Sequence, residues 1–450
     1  MAIFAAHALL EAGWFAGVRV SVSQGRIEAV EHGVAPAAGD ERCAVLLPGM
    51  ANLHSHAFQR GMAGLTEVRG TSPDSFWTWR EAMYRYALAM TPDQLEAIAA
   101  QLYVEMLEAG FTRVGEFHYL HHDRDGRPYA DIAETASRIV AAAAASGIGL
   151  TLLPTFYAHG DFGGAPPSQG QRRFLNDLAS FARLVERCRT LASGLDGAVV
   201  GIAPHSLRAV TPAELAELQA LAPSGPLHIH AAEQLKEVES CLAWSGRRPV
   251  EWLLDHAPVD SRWCLIHATH MTDEETRRLA ASGAVAGLCP VTEANLGDGI
   301  FNGAVYAQSR GQFGVGSDSN VLIGVGDELR QLEVSQRLRD KARNVLATGG
   351  GSTGEALYRG AVRGGAQALG LASAGIQAGA RADLVSIDVS HAQLAGRTPE
   401  QVIDALVFSG ADAVDAVWVG GIRRVSGGRH LEREAVGRRF ATVMRELQAA

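Results

Sequence analysis

The stretch Ala44-Val45-Leu46-Leu47-Pro48-Gly49-Met50-Ala51-Asn52-Leu53-His54-Ser55-His56 is an apolar run that closes on two histidines. Its form, a short strand-like segment ending in polar side chains, recurs along the chain. Residues 44–52, 112–117, 149–155, 199–204, 226–230, 263–267, 284–289 and 313–316 are such runs, short and rich in β-branched residues. Between them, residues 92–109, 129–146, 171–192, 212–222 and 273–281 carry apolar side chains at helical spacing. Thr91-Pro92, Thr211-Pro212 and Thr272-Asp273 supply a hydroxyl N-cap and a first turn for three of these helices. Strands alternating with helices in this number predict an α/β chain folded as a (β/α)8 TIM barrel.

Outward from the barrel the pattern changes. Val18, Val20 and Val22 alternate before Gln24-Gly25, and Ile27 and Val30 after it, as in a hairpin. Residues 382–388 and 414–425 repeat the pattern around Gly420-Gly421. These flanks predict a small β-sandwich formed by both termini, residues 1–47 plus 371–428. The barrel is expected over residues 48–370 and a closing helix over residues 429–450.

Composition narrows the function classes. The chain has 450 residues, 47% of them hydrophobic and 20% charged, with 50 glycines, which excludes disorder, collagen and coiled coil. A net charge of −9 with no block of five like charges leaves no footprint for a polyanion, so neither nucleic acid nor a membrane surface is an expected partner. Residues 1–17 lack a basic leader, and the longest apolar run, residues 139–156, is broken by Ser146-Gly147 and Pro154. Cys43, Cys188, Cys241, Cys264 and Cys289 have no C-x-x-C spacing, which argues against disulfides and a thiolate metal site and for a reducing, cytoplasmic setting.

In a barrel of this kind the site sits at the carboxyl ends of the strands. The predicted ends read His54-Ser55-His56, Glu116-Phe117-His118-Tyr119, Tyr157-Ala158-His159, His205-Ser206-Leu207-Arg208, His228-Ile229-His230-Ala231-Ala232-Glu233, His267-Ala268-Thr269-His270 and Ser317-Asp318-Ser319. Residues i and i+2 of a strand share a face about 6.5–7 Å apart, so His54 and His56 can converge on one ion. His230 offers a third nitrogen and Asp318 a hard oxygen; with water in an open position this is a catalytic zinc set. His228 shares the His230 face and competes for the ligand role, but it lies a layer deeper and reads as structural. Glu233, three residues beyond His230, can reach water at the metal and carry its proton to a leaving group. His267 is placed to orient or polarise that water, and His270 reads as a cap.

The chain has two lysines, Lys236 and Lys341, neither at a strand end, so no lysine is placed to bridge a second metal and one ion per subunit is expected. Gly349-Gly350-Gly351 reads as a linker rather than a phosphate cradle. H-E-x-x-H and P-C-x-x-C motifs do not occur.

Together, residues 48–56, His230-x-x-Glu233, His267, Ser317-Asp318 and residues 379–385 resemble the amidohydrolase superfamily, and within it the mononuclear-zinc deaminases acting on C=N carbon. Residues 57–61 (Ala-Phe-Gln-Arg-Gly) and 204–210 (Pro-His-Ser-Leu-Arg-Ala-Val) are similar to the N-formimino-L-glutamate deiminases. The resemblance implies zinc-dependent hydrolysis of formiminoglutamate to formylglutamate and ammonia in histidine degradation. It implies Zn2+ on His54, His56, His230 and Asp318, proton transfer by Glu233, and participation of His267 and Asp318. It also implies Gln59, Arg80, Tyr119, His205 and Arg208 as contacts to a small dicarboxylate substrate. Arg80 and Arg208 suit that substrate as bidentate forks. Trp77 and Trp79 would equally build a stacking slot, so a guanine-type or triazine deaminase of the same scaffold is the alternative reading. A homodimer is expected.

Overall fold

The apolar run that ends in His54-Ser55-His56 is two strands, not one. In the computed structural model, which describes residues 1–69, 74–347 and 349–449, it breaks at Gly49. Glu41–Pro48 (β4) joins Ala2–Leu10 (β1), Gly13–Ser23 (β2) and Arg26–Glu31 (β3), whereas Met50–Ser55 (β5) starts a parallel sheet. A Cβ at Gly49 would run into the side chain of Thr112, so only glycine lets the chain cross here from one sheet to the next.

The parallel strands are β5, Phe111–His118 (β6), Gly149–Phe156 (β7), Val199–Val200 (β8) and Ala203–Pro204 (β9) in one sheet. Leu227–Ala231 (β10), Trp263–His267 (β11), Val285–Leu288 (β12) and Gln312–Val315 (β13) make a second. The expected barrel is therefore described as two parallel sheets, and the fourth expected strand as two short pieces. At both seams the ladders thin to isolated parallel bridges, Ser55 to Asp318 on one side and Ile202 to Leu227 and Ser206 to His230 on the other. On its other side β5 pairs with β6 through two register shifts, between Met50 and Ala51 and between Asn52 and Ser55. That seam is nevertheless close. A Cβ on Gly316 would lie 2.7 Å from the backbone nitrogen of His54.

Leu384–Ile387 (β14), Val414–Val419 (β15), Ile422–Ser426 (β16) and Arg429–His430 (β17) complete the terminal sheet, in the order β17-β16-β15-β14-β4-β1-β2-β3. The expected sandwich is thus described as one eight-stranded sheet. Its far edge turns back, since Ile27 donates to the Ala380 carbonyl and Ala382 to the Gly25 carbonyl. Both anticipated hairpin turns form, with left-handed backbone at Gln24 and Gly25 and at Gly420 and Gly421. Val18, Val20, Leu46, Leu384 and Trp418 pack in a core of its own.

Thr91, Thr211 and Thr272 each accept the N–H three residues on, capping helices Pro92–Glu108, Pro212–Leu221 and Asp273–Ser282. Two expected helices begin later than their sequence pattern: Glu134–Ser146, and Leu178–Ala192, which Asp177 caps. The closing helix is Arg433–Ala449. All five cysteines are free. Among the described residues no helix is long and apolar enough to cross a membrane.

Candidate active site

The carboxyl ends of β5, β10 and β13 meet where the seams are thinnest. There His54, His56, His230 and Asp318 bring four potential ligand atoms within 4.8 Å of one another. His54 Nε2 is 3.1 Å from His230 Nε2 and 3.4 Å from Asp318 Oδ1, and His56 Nε2 is 3.3 Å from the same oxygen. Ligands about 2.0–2.1 Å from a tetrahedral ion lie about 3.3 Å apart, so the spacing fits a single divalent metal. The tautomers fit as well. His56 Nδ1 donates to the Phe117 carbonyl and His230 Nδ1 to the His205 carbonyl, each at 2.9 Å, which leaves both Nε2 lone pairs facing inward. Burial lowers the His54 ring to about 3 and lowers His56 and His230 too, so all three stay neutral. Burial works against the Asp318 carboxylate, but His54 close beside it and the charge on His267 hold it below its ordinary range. Three lone pairs and an anion crowded together in a buried site call for a cation.

Glu233 and His267 flank this group. Glu233 Oε1 is 3.8 Å from His267 Nε2, whose distance to Asp318 Oδ2 is also 3.8 Å. Burial raises the Glu233 carboxyl to about 7, against the pull of His267 and Arg208. His267 shifts upward: burial opposes its charge, but Glu233 and the Glu293 hydrogen bond outweigh it. Ala232, His267, Ala268, Asp318 and Asn320 all hold left-handed backbone, a concentration of strain that aims side chains off the strand ends.

Above lies a small cavity whose lining includes Gln59, Arg80, Tyr119, His205 and Arg208. Gln59 donates to the Tyr119 hydroxyl at 2.9 Å, and its Oε1 has no partner. Arg208 is 9% exposed, its Nε has no partner, and its nearest acids, Glu237 and Glu233, stand 3.9 and 4.0 Å away. Arg80 stacks on Trp77 at 4.5 Å. Trp77 is thereby committed to cations, with Lys236 4.8 Å from the same ring, while Trp79, Phe76 and Phe174 line the cavity. Tyr157 lines it too, whereas His159 pairs with Glu214 at 2.9 Å. His228 donates to the Ala368 carbonyl at 2.7 Å and takes no part in the metal group; His270 donates to the Asp298 carbonyl. Lys341 ends the Val325–Asp340 helix.

Several residues with a part in the site escaped the sequence reading. Glu293, from helix Pro290–Leu296, lies 3.3 Å from His267 Nδ1. Glu116 accepts from Ala57 N and the Tyr103 hydroxyl beneath the metal group, and burial raises it to about 8. Asn320 donates to the carbonyls of both His56 and Asp318, while Asn52 grips Ser317, so two asparagines tie the seam between ligands. Glu237 accepts from the N–H groups of Ala232 and Glu233. The signal available for Glu237 was its spacing, four residues past Glu233.

Comparison with known proteins places this geometry. The amidohydrolase family matches residues 45–423, and the family described as formimidoylglutamate deiminase HutF, N-terminal domain, matches residues 1–44. A formimidoylglutamate deiminase of Pseudomonas aeruginosa is 50% identical over 99% of each chain. An 8-oxoguanine deaminase of the same organism is 30% identical, over 95% of this chain and 93% of its own. A crystal structure of an amidohydrolase from Brucella melitensis superposes with a TM-score of 0.97 at 60% identity, covering 99% of both chains. The family match across most of the chain, and the full-length relatives, show that the chain belongs to the amidohydrolase family.

Proposed function

We propose that this enzyme is a formimidoylglutamate deiminase, hydrolysing N-formimino-L-glutamate to N-formyl-L-glutamate and ammonia in histidine degradation. The full-length likeness to the Pseudomonas enzyme supports the reading. The observation that carries it is Arg208, a buried guanidinium without a hydrogen-bonded acid, in the same cavity as Arg80 and above Glu233. A dicarboxylate fits two such cations.

In this reading His54, His56, His230 and Asp318 hold one Zn2+, whose chemistry is to acidify water to a pKa of about 7. Arg208 and Arg80 take the carboxylates, and Gln59, Tyr119 and His205 border the formimino end. Glu233, ionised, accepts a proton from the attacking water as its oxygen bonds to the formimino carbon. As the carbon–nitrogen double bond opens, Glu233 delivers that proton to the imino nitrogen; it then carries the hydroxyl proton of the tetrahedral adduct to the same nitrogen, so that ammonia leaves as the carbon–oxygen double bond of the formyl group forms. His267, charged opposite Asp318 and Glu233, stabilises the negative charge that develops on oxygen.

The two parallel sheets are taken as halves of one (β/α)8 barrel, a reading supported by bridges at both seams, and the terminal sheet as a sandwich folded back through its Ile27–Ala380 edge. Residues 1–47 plus 371–428, 48–370 and 429–450 are the proposed domains. Cytoplasmic location and a homodimer complete the proposal. The aromatic lining by Trp79, Phe76 and Phe174 and the 8-oxoguanine deaminase relative favour a second reading, a heterocycle deaminase. Ammonia release from N-formimino-L-glutamate, set against guanine and 8-oxoguanine, decides between them. Turnover of a base without turnover of the amidine overturns the proposal.

A further inference from the structure

At the end of β10 the backbone of Ala232 turns into the left-handed region, with φ 53°. The turn carries Glu233 towards the cavity and leaves two successive N–H groups without strand partners. One carboxylate takes both: Glu237 Oε1 accepts from Ala232 at 3.0 Å and Oε2 from Glu233 at 3.2 Å. Glu237 lies in the first turn of helix Leu235–Ser245, with its side chain 1% exposed. The same Oε2 stands 3.9 Å from Arg208 Nη2, too far for a hydrogen bond and close enough for strong attraction in a buried site.

We infer that Glu237 is a positioning residue with two opposed effects: it fixes Glu233 for proton transfer, and it weakens the grip of Arg208 on a ligand carboxylate. The inference rests on the proposed role of Arg208 as the carboxylate-binding residue. The Glu237 carboxylate attracts the guanidinium and repels an incoming anion, so it holds substrate and product less tightly than an uncompensated arginine would. A glutamine of the same size removes the repulsion but has one acceptor oxygen and an NH2 group that cannot accept, so the double clamp on the Ala232–Glu233 backbone fails. Turnover and ligand affinity then move in opposite directions. A residue that merely supported the fold would weaken both.

The test is steady-state kinetics with N-formimino-L-glutamate, with N-formyl-L-glutamate as product inhibitor. In Glu237→Gln, kcat falls by about 10- to 100-fold from misplacement of Glu233, while the inhibitor binds about 3- to 10-fold more tightly. Metal content, measured by atomic emission, is unchanged. Glu237→Asp keeps the charge but shortens the reach, so kcat falls while Ki stays within about twofold. Should Glu237→Gln lose its metal or its fold, Glu237→Asp decides alone: lowered kcat at unchanged Ki supports the inference, and normal kcat overturns it. Normal kcat or weaker inhibitor binding in Glu237→Gln overturns it, as does loss of metal or fold in both variants. Absence of turnover in the unaltered enzyme is instead a failure of the proposed substrate, and is seen before any variant is made.

Discussion

Replacing Arg208 with methionine separates substrate binding from chemistry. The guanidinium is 9% exposed, its Nε is unpartnered, and the closest carboxylate oxygens are 3.9 and 4.0 Å away. Its donors are thus available to a substrate carboxylate, and methionine keeps much of the stem's volume. Removing one partner from a buried charge pair costs about 2–5 kcal/mol. At about 1.4 kcal/mol per tenfold, kcat/KM for N-formimino-L-glutamate falls about 30- to 3,000-fold. Most of that loss belongs in KM, because the carboxylate is held equally in ground and transition states. A smaller part comes through Glu233. Burial already raises its carboxyl to about 7, and Arg208 is one of the charges pulling it down. Without Arg208 the carboxyl rises further, and a larger fraction of the enzyme at pH 7 carries a protonated, inactive base. That part is recovered at pH 9; the binding part is not. An ammonia-coupled assay at both pH values, with an N-formimino derivative of an uncharged amine as control, resolves the two. If the control loses activity by the same factor, or if the whole loss disappears at pH 9, Arg208 does not hold a substrate carboxylate.

Three other expectations have direct readouts. Glu233→Gln keeps its metal but loses about 10²- to 10⁴-fold in kcat, as befits a proton-transfer residue; near-normal turnover with full metal content refutes that role. Because Glu233 must be ionised to accept a proton and its carboxyl is raised to about 7, kcat/KM climbs as pH rises through that value; a profile flat from pH 5 to 8 contradicts the assignment. Gly364 lies in helix Thr353–Ala368 so close to the Phe313 carbonyl that a Cβ would overlap it. Gly364→Ala should lose about 1–3 kcal/mol in urea unfolding, and an unshifted midpoint removes that contact from the fold's essential packing.

What the sequence made legible, and what it hid, follows from the range over which each determinant acts. The strand ends could be read because alternation, Thr caps and Gly-containing turns are local: Thr91, Thr211 and Thr272 cap where their neighbours say they should. The histidines stood out because strand ends converge in any parallel α/β sheet, so His54, His56, His230 and Asp318 needed only correct topology to become neighbours. The break at Gly49 was not legible, since the reason lies in Thr112, over sixty residues on, whose side chain leaves no room for a Cβ. The thin seam escaped for a similar cause. Asn52 binds Ser317 and Asn320 binds the His56 carbonyl across it, but asparagine and serine have many uses, and only the fold selects this one.

The acids show the limit most clearly. Glu233, Glu237 and Glu293 each sit at or near a helix N-terminus, where a carboxylate is favoured by the helix dipole alone. Glu233 could be singled out because His230 precedes it; nothing near Glu293 points to His267, 26 residues earlier. Their roles depend on backbone geometry that composition does not encode. The left-handed turn at Ala232 turns the Glu233 side chain into the cavity and exposes the N–H groups that Glu237 takes. A right-handed backbone there would return Glu233 to the helix face and leave Glu237 an ordinary first-turn acid. The chemistry of this site is therefore set as much by one residue with a positive φ as by the ligands themselves. Ala232 is where a β-branched side chain, which tolerates that backbone poorly, should depress turnover more than any change of its small side chain's contacts would suggest.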